Sequence, residues 1–152
     1  MDAGFLQLDA WMARALAALA PAERRTLFRK IGRELLKRNR AHMARQVGPD
    51  GTPWAPRARD RHGQVRKAGK MMVGLRAARR LKATASPDGA DVGWSGGDAR
   101  IALVHQLGGL DFVDRAESDT KVRYPARPLI GLTDEDVAII KDTVLSHLAD
   151  RL

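Results

Sequence analysis

A chain of 152 residues holds one hydrophobic core and is too short for two full ones. It has no cysteine, which excludes a disulfide framework, a thiolate zinc site and a cysteine nucleophile, and its four histidines, at 42, 62, 105 and 147, form no close pair for a metal. The net charge of +9 divides into 20 Lys/Arg against 6 Asp/Glu over residues 1–82 and 7 against 12 over 83–152, a basic front and an acidic back that suit nucleic-acid contact and head-to-tail self-association alike.

Aromatic residues make up only 5% of the chain, so Ala, Leu, Val and Ile must fill most of the interior of a helix-rich protein. Asp2, Asp9 and Arg14 interrupt the first apolar run, which rules out a secretory signal pattern, and no apolar stretch approaches the ~20 residues that span a bilayer. The chain is expected to be made and used in a cytoplasm, with no membrane partner.

From about Ala3 to Leu19, the residues Phe5, Leu6, Leu8, Met12, Leu16 and Leu19 recur near helical spacing. Pro21 opens a second helix at a position where its missing donor costs nothing, and Glu23 suits the positive first turn. This helix runs to about Gln46 on a stripe of Leu27, Phe28, Ile31, Leu35 and Leu36, surrounded by Arg24, Arg25, Arg29, Lys30, Arg33, Lys37, Arg38, Arg40 and Arg45. So basic a surface is either a solvated face or one turned to DNA or an acidic partner.

Pro49, Pro53 and Pro56 with Gly48 and Gly51 end the helix, and Trp54 is the group that holds this loop to the core. Residues 57–82 carry ten Lys/Arg against the single Asp60. Their early part is too poor in apolar residues to bury much surface; later, Met71, Met72, Leu75, Ala78 and Leu81 predict a third helix. Three readings of the basic segment stand: a flexible solvated insertion at about 55–70, a docking element for DNA or an acidic protein, or a segment ordered only on assembly. Arg57, Arg59, Arg61, Arg66, Lys67 and Lys70 are its candidate contacts, and the absence of aromatic residues argues against a stacking platform for single strands.

Pro87-Asp88-Gly89 between two short extended runs predicts a β-hairpin, with Trp94 packing at its end and Ser95-Gly96-Gly97 as a loop. Asp98 to Gly109 predicts a short helix capped by Asp98 and stopped by a left-handed Gly108 or Gly109, with Ile101, Val104, His105 and Gly108 on one face. The acidic stretch 109–121 lacks the closing Glu of a calcium loop and reads as a surface loop or hairpin tip. Val122 to Leu132 is extended and broken by Pro125 and Pro128, which suits an edge strand or a docking arm. A final helix follows, with Thr133 as cap, Asp134, Glu135 and Asp136 in its first turn, Val137, Ile140, Val144 and Leu148 as stripe, and Leu132 as staple.

No nucleophile–base pair, carboxylate pair or phosphate loop assembles from these residues, so no enzyme is expected. His105, alone beside Gln106, reads as a hydrogen-bonded structural residue that orders the neighbouring strand or a subunit contact. The fold expected is α+β: long N-terminal helices and a C-terminal helix packed on a small, mainly antiparallel sheet, with a mobile basic loop, in a single domain over 1–152.

Val104-His105-Gln106-Leu107-Gly108-Gly109, then Tyr124-Pro125-Ala126-Arg127-Pro128-Leu129-Ile130-Gly131-Leu132 and an acidic-capped helix, with Pro49-Asp50-Gly51 and Trp54 after the long helix, together resemble the phage virion morphogenesis family, the tail completion proteins of contractile-tailed phages. The resemblance covers about Leu27 to Leu148. Where the family commonly has Phe-Leu-Gly this chain has Leu129-Ile130-Gly131, a volume-tolerant change.

The resemblance implies a structural protein that completes the head-proximal end of the tail and takes part in head–tail joining. It implies a ring of subunits, six to match tail symmetry, touching tail tube or sheath and connector proteins. It places the protein in the host cytoplasm during assembly and then in the tail or neck of the virion; the residues themselves call for no cofactor or metal. His105, Gln106, Tyr124, Arg127, Leu129 and Ile130 are the candidate subunit or tail interface. The rival is a basic nucleic-acid-binding protein acting during packaging or replication, but the basic helix is followed by a Pro-rich loop instead of a short turn and recognition helix.

Overall fold

A computed structural model describes residues 3–59, 62–64, 69–112 and 119–151. Helices α1 (Ala3–Ala18) and α2 (Pro21–Ala44) are followed by strands β1 (Lys82–Ser86) and β2 (Gly89–Gly93), helix α3 (Gly96–Leu107), strands β3 (Gly109–Phe112) and β4 (Lys121–Tyr124), and helix α4 (Asp134–Ala149). The class is α+β as expected. Among the described residues the strands form two two-stranded sheets, β1-β2 and β3-β4, in place of one. The chain divides into two compact units, the first made of residues up to Leu36, Ala83–Val92 and from Thr133 on, the second of Lys37–Lys82 and Gly93–Leu132.

In the first unit Leu27, Ile31, Met12 and Val144 are buried together, with Leu16, Leu19, Phe28, Leu35, Ile140 and Leu148 packed around them. The stripes of α1, α2 and α4 thus meet as their spacing requires. Phe5 and Leu8 fall among side chains outside the description. The β1-β2 hairpin turns at Pro87-Asp88 and seats on α2 at Gly32, where a Cβ would stand 3.4 Å and 3.5 Å from the methyls of Ala83 and Ala90. Arg24 ties down the turn by donating from Nε to the Pro87 carbonyl at 3.0 Å.

Helix α4 starts as its sequence requires: the Thr133 side chain accepts from the Asp136 amide, and Asp136 accepts from the Thr133 amide, closing a reciprocal capping box. Because that box turns Asp136 inward, the buried line runs Asp136, Val144 and His147 with half-buried Ile140, and Val137 and Leu132, expected as stripe and staple, both stay exposed. His147 is buried with Nδ1 3.1 Å from Lys30 Nζ.

Two expected local structures differ. The third helix over Met71 to Leu81 is a series of turns: Met72 has φ of +61°, which no right-handed helix accepts, and the Gln46 side chain binds both the amide of Met71 at 2.6 Å and its carbonyl at 3.1 Å. Leu75 and Leu81 are buried nonetheless, so the apolar spacing recorded burial without helix. Helix α3 begins three residues earlier than expected, with Ser95 in place of Asp98 at the cap position and Gly96 and Gly97 in its first turn instead of a loop. Asp98 is therefore a first-turn acid near the dipole, paired with Arg80 at 3.5 Å.

Candidate assembly surface

The segment after β4 has lost most of its capacity for strand pairing, because Pro125 and Pro128 have no amide hydrogen. In the second unit side chains and one helix end supply what a neighbouring strand would have. The Arg127 amide donates to the His105 carbonyl at 2.6 Å. Gln106 Oε1 accepts from the amides of Leu129 at 2.8 Å and Ile130 at 3.2 Å, while its Nε2 donates to the Ile130 carbonyl at 2.9 Å. Asn39 Oδ1 accepts from the Gly131 amide at 3.1 Å. The arm is thus clamped onto α3 and α2, with Leu129 fully buried beneath it.

Arg127 turns the other way, into the proline loop, where Nε donates to the Ala55 carbonyl and Nη2 to the Pro56 carbonyl, each at 2.7 Å. Trp54 Nε1 donates to the Pro128 carbonyl at 2.8 Å, fastening loop and arm a second time. Burial and the neighbouring Arg57 lower the Arg127 pKa. Close approach explains two glycines. Gly108 ends α3 with φ +73° and ψ 174°, a glycine conformation but not the left-handed helical one expected, and a Cβ there would lie 2.9 Å from the Ala126 amide nitrogen. A Cβ on Gly131 would lie 2.9 Å from Pro49 Cγ.

The structure therefore brings all six candidate interface residues into one place. Leu129, Arg127 and Gln106 are engaged within the chain, Ile130 is half-buried, and Tyr124 meets the His105 ring edge-on at 5.2 Å between centroids. On α3 the inward residue is Ala102 with half-buried His105 and Gln106, and Ile101, expected inside, is 38% exposed. The small Ala102 is what lets the helix approach closely. At the two ends of the acidic stretch β3 pairs antiparallel with β4, Leu110 opposite Arg123 and Phe112 opposite Lys121, whose ammonium lies 4.9 Å over the Phe112 ring; the expected tip between them lies outside the described residues.

Sequence reasoning missed the outward side of this same element. Leu103 and Leu107, one turn apart on α3, are 57% and 69% exposed, and Leu110 on β3 is 60% exposed. The signal was present, because placing His105 inward leaves the i, i+4 leucines outside. Arg57 donates to the Lys70 carbonyl at 3.0 Å and Arg59 to the Gly63 carbonyl at 2.8 Å; Lys70 is exposed, and Arg61, Arg66 and Lys67 lie outside the described residues. By sequence the second unit carries 19 Lys/Arg against 7 Asp/Glu and the first 8 against 11. Among the described residues no group of His, Asp and Glu gathers as a metal site, and no helix is long and apolar enough to cross a membrane.

Burial lowers the pKa of His105, with nearby Arg127 adding to the effect and Asp111 opposing it. Burial likewise lowers that of His147, helped by Lys30 and Arg151 and opposed by Glu23 and Asp150. Both rings thus take up protons less readily in the fold than once unfolded. Stability is expected to be full above the ordinary histidine range, near pH ~6.5, and to fall as pH drops through it toward the depressed folded values. Urea midpoints at about pH 7.5 and 5.5 check this. Equal midpoints would contradict it, and His105→Gln should flatten part of the slope.

Both motifs contribute to one clamp, through His105 and Gln106 of the first and Arg127 to Gly131 of the second. A description of the phage virion morphogenesis family matches residues 4–149. Tail completion protein S of Escherichia phage P2 is 37% identical over 138 residues, covering 88% of this chain and 89% of that protein. No solved structure matches the chain. With a match that runs from the first helix to the last and a clamp built from the residues that carry the resemblance, this chain belongs to the phage virion morphogenesis family, a structural and non-enzymatic one.

Proposed function

We propose that this protein completes a phage tail during virion morphogenesis, acting at the head-proximal end and taking part in head–tail joining. The supporting observation is the near full-length similarity to the tail completion protein of phage P2, which covers 89% of that relative and so leaves little of it unmatched. Both units then work as one tail-completion domain. The protein gathers in the host cytoplasm and ends in the tail or neck of the virion.

Its partners are further copies of itself in a ring, six to match the tail, together with tail tube or sheath and connector proteins. A closed ring needs two different surfaces on each subunit. The leucines 103, 107 and 110 are one, an apolar patch set in a unit of net charge +12, and the first unit, of net charge −3, offers the oppositely charged counterpart on the next copy. The clamp beneath gives this patch a rigid backing.

Electron microscopy of particles made with and without the gene tests the role. Loss is expected to leave filled heads beside unattached or wrongly terminated tails, and added protein to restore joining. Normal particles without the gene would overturn the reading.

A further inference from the structure

The exposed face of α2 in the first unit is arranged for a ligand that neither the clamp nor the leucine patch addresses. Arg25, Arg29 and Arg33 follow one another at four-residue spacing, all exposed. Each step of four rises ~6 Å and turns ~40° about the axis, so the three guanidiniums form a shallow spiral row. Among the described residues none of the three has a carboxylate or hydrogen-bond partner, in contrast to Arg24 beside them, which is spent on the hairpin turn.

Beside the row lies a groove of about 240 Å³, lined by Arg29, Gly32 and Arg33 of α2 and by Ala83, Thr84 and Ala85 of β1. Gly32 has no side chain and Ala83 and Ala85 carry only methyls, so no large side chain fills it. Arg29 and Arg33 are its charged lining, and among the described residues no carboxylate lines it. Two guanidiniums beside an open, shallow floor fit a phosphate oxyanion.

We propose that this row and groove bind the phosphate backbone of double-stranded DNA without regard to sequence. A regular row of cations matches a regular row of anions. The alternative occupant, an acidic protein surface, needs an apolar centre to dock on, whereas the exposed residues of α2 within this unit are Arg, Lys, Thr, Pro and Ala. Single strands are disfavoured because the face has no aromatic ring on which bases stack. The inference is independent of the tail-completion reading, since binding by the full chain requires no phage.

Fluorescence anisotropy of the full-length protein with a labelled duplex, over a salt series, is the test. Arg25→Gln/Arg29→Gln/Arg33→Gln is expected to weaken binding at low salt by about tenfold or more and to reduce the slope of log K against log salt by about 2.7, three phosphate contacts' worth. Arg57→Gln/Arg59→Gln/Lys70→Gln, in the other basic segment, is expected to change the slope less. Circular dichroism melts confirm folding, and single substitutions stand in if the triple variant is unstable. The proposal is overturned if the wild type does not bind duplex at low salt, if the α2 variant binds as well as wild type, or if polyglutamate competes as well as DNA does.

Discussion

Gln106→Leu is expected to lower the stability of the second unit by on the order of 3 to 5 kcal/mol, although leucine nearly fills the same volume. The reason is the accounting of backbone groups. Gln106 is the acceptor for the amides of Leu129 and Ile130 and the donor to the Ile130 carbonyl. With Pro125 and Pro128 on either side of Arg127 there is no strand to take over those bonds. Each buried group left without a partner costs about 1 to 3 kcal/mol. Against a total stability of about 5 to 15 kcal/mol this leaves the clamp marginal.

Gln106→Glu is the informative companion. It keeps the two accepting bonds but sets a carboxylate oxygen against the Ile130 carbonyl, so an intermediate loss is expected. Urea denaturation of the three proteins, followed by tryptophan fluorescence because Trp54 reports on the Pro128 carbonyl, gives the order wild type, Glu, Leu. A Leu variant within about 0.5 kcal/mol of wild type would mean that the arm is held by burial of Leu129 alone.

Leu103→Asp/Leu107→Asp is expected to do the opposite: leave the fold intact and abolish function. At 57% and 69% exposure the two side chains contribute little to folding, and surface substitutions of this kind usually stay within about ±0.5 kcal/mol. If they are the apolar centre of a subunit contact, each substitution costs about 2 kcal/mol or more of association, roughly thirtyfold in affinity, with a buried carboxylate added. The variant should melt like wild type, sediment as a smaller species and fail to rescue phage lacking the gene. Full rescue would remove the leucine patch from the assembly mechanism while leaving the tail-completion role to the deletion experiment.

The two experiments separate support from surface in this part of the chain. Gln106, Arg127 and Leu129 work as support, and the outward leucines 103, 107 and 110 lie on α3 and β3 around Gln106.

What could be read from the chain alone was whatever depends on near neighbours. The starts of α2 and α4, with Pro21 and the Thr133–Asp136 box, the stop at Gly108, the Pro87-Asp88 turn and the buried stripes of the first unit all follow from steric and hydrogen-bonding rules that act within a few residues. The same rules failed at Met71 to Leu81, where a contact from Gln46, 25 residues away, captured the backbone and turns replaced the helix.

Tertiary structure decided which partner each polar side chain met. Trp54 with Pro128 and Arg127 with Ala55 join positions more than 70 residues apart, and no local pattern records such a pairing. It also decided the meaning of charge and exposure. Arg24 and Arg25 are adjacent in sequence, yet one is bound to the hairpin turn and the other stands open on the helix face, because the arrival of β1 and β2 on Gly32, with α1 and α4 on the Leu27 stripe, determines which side of α2 remains in water.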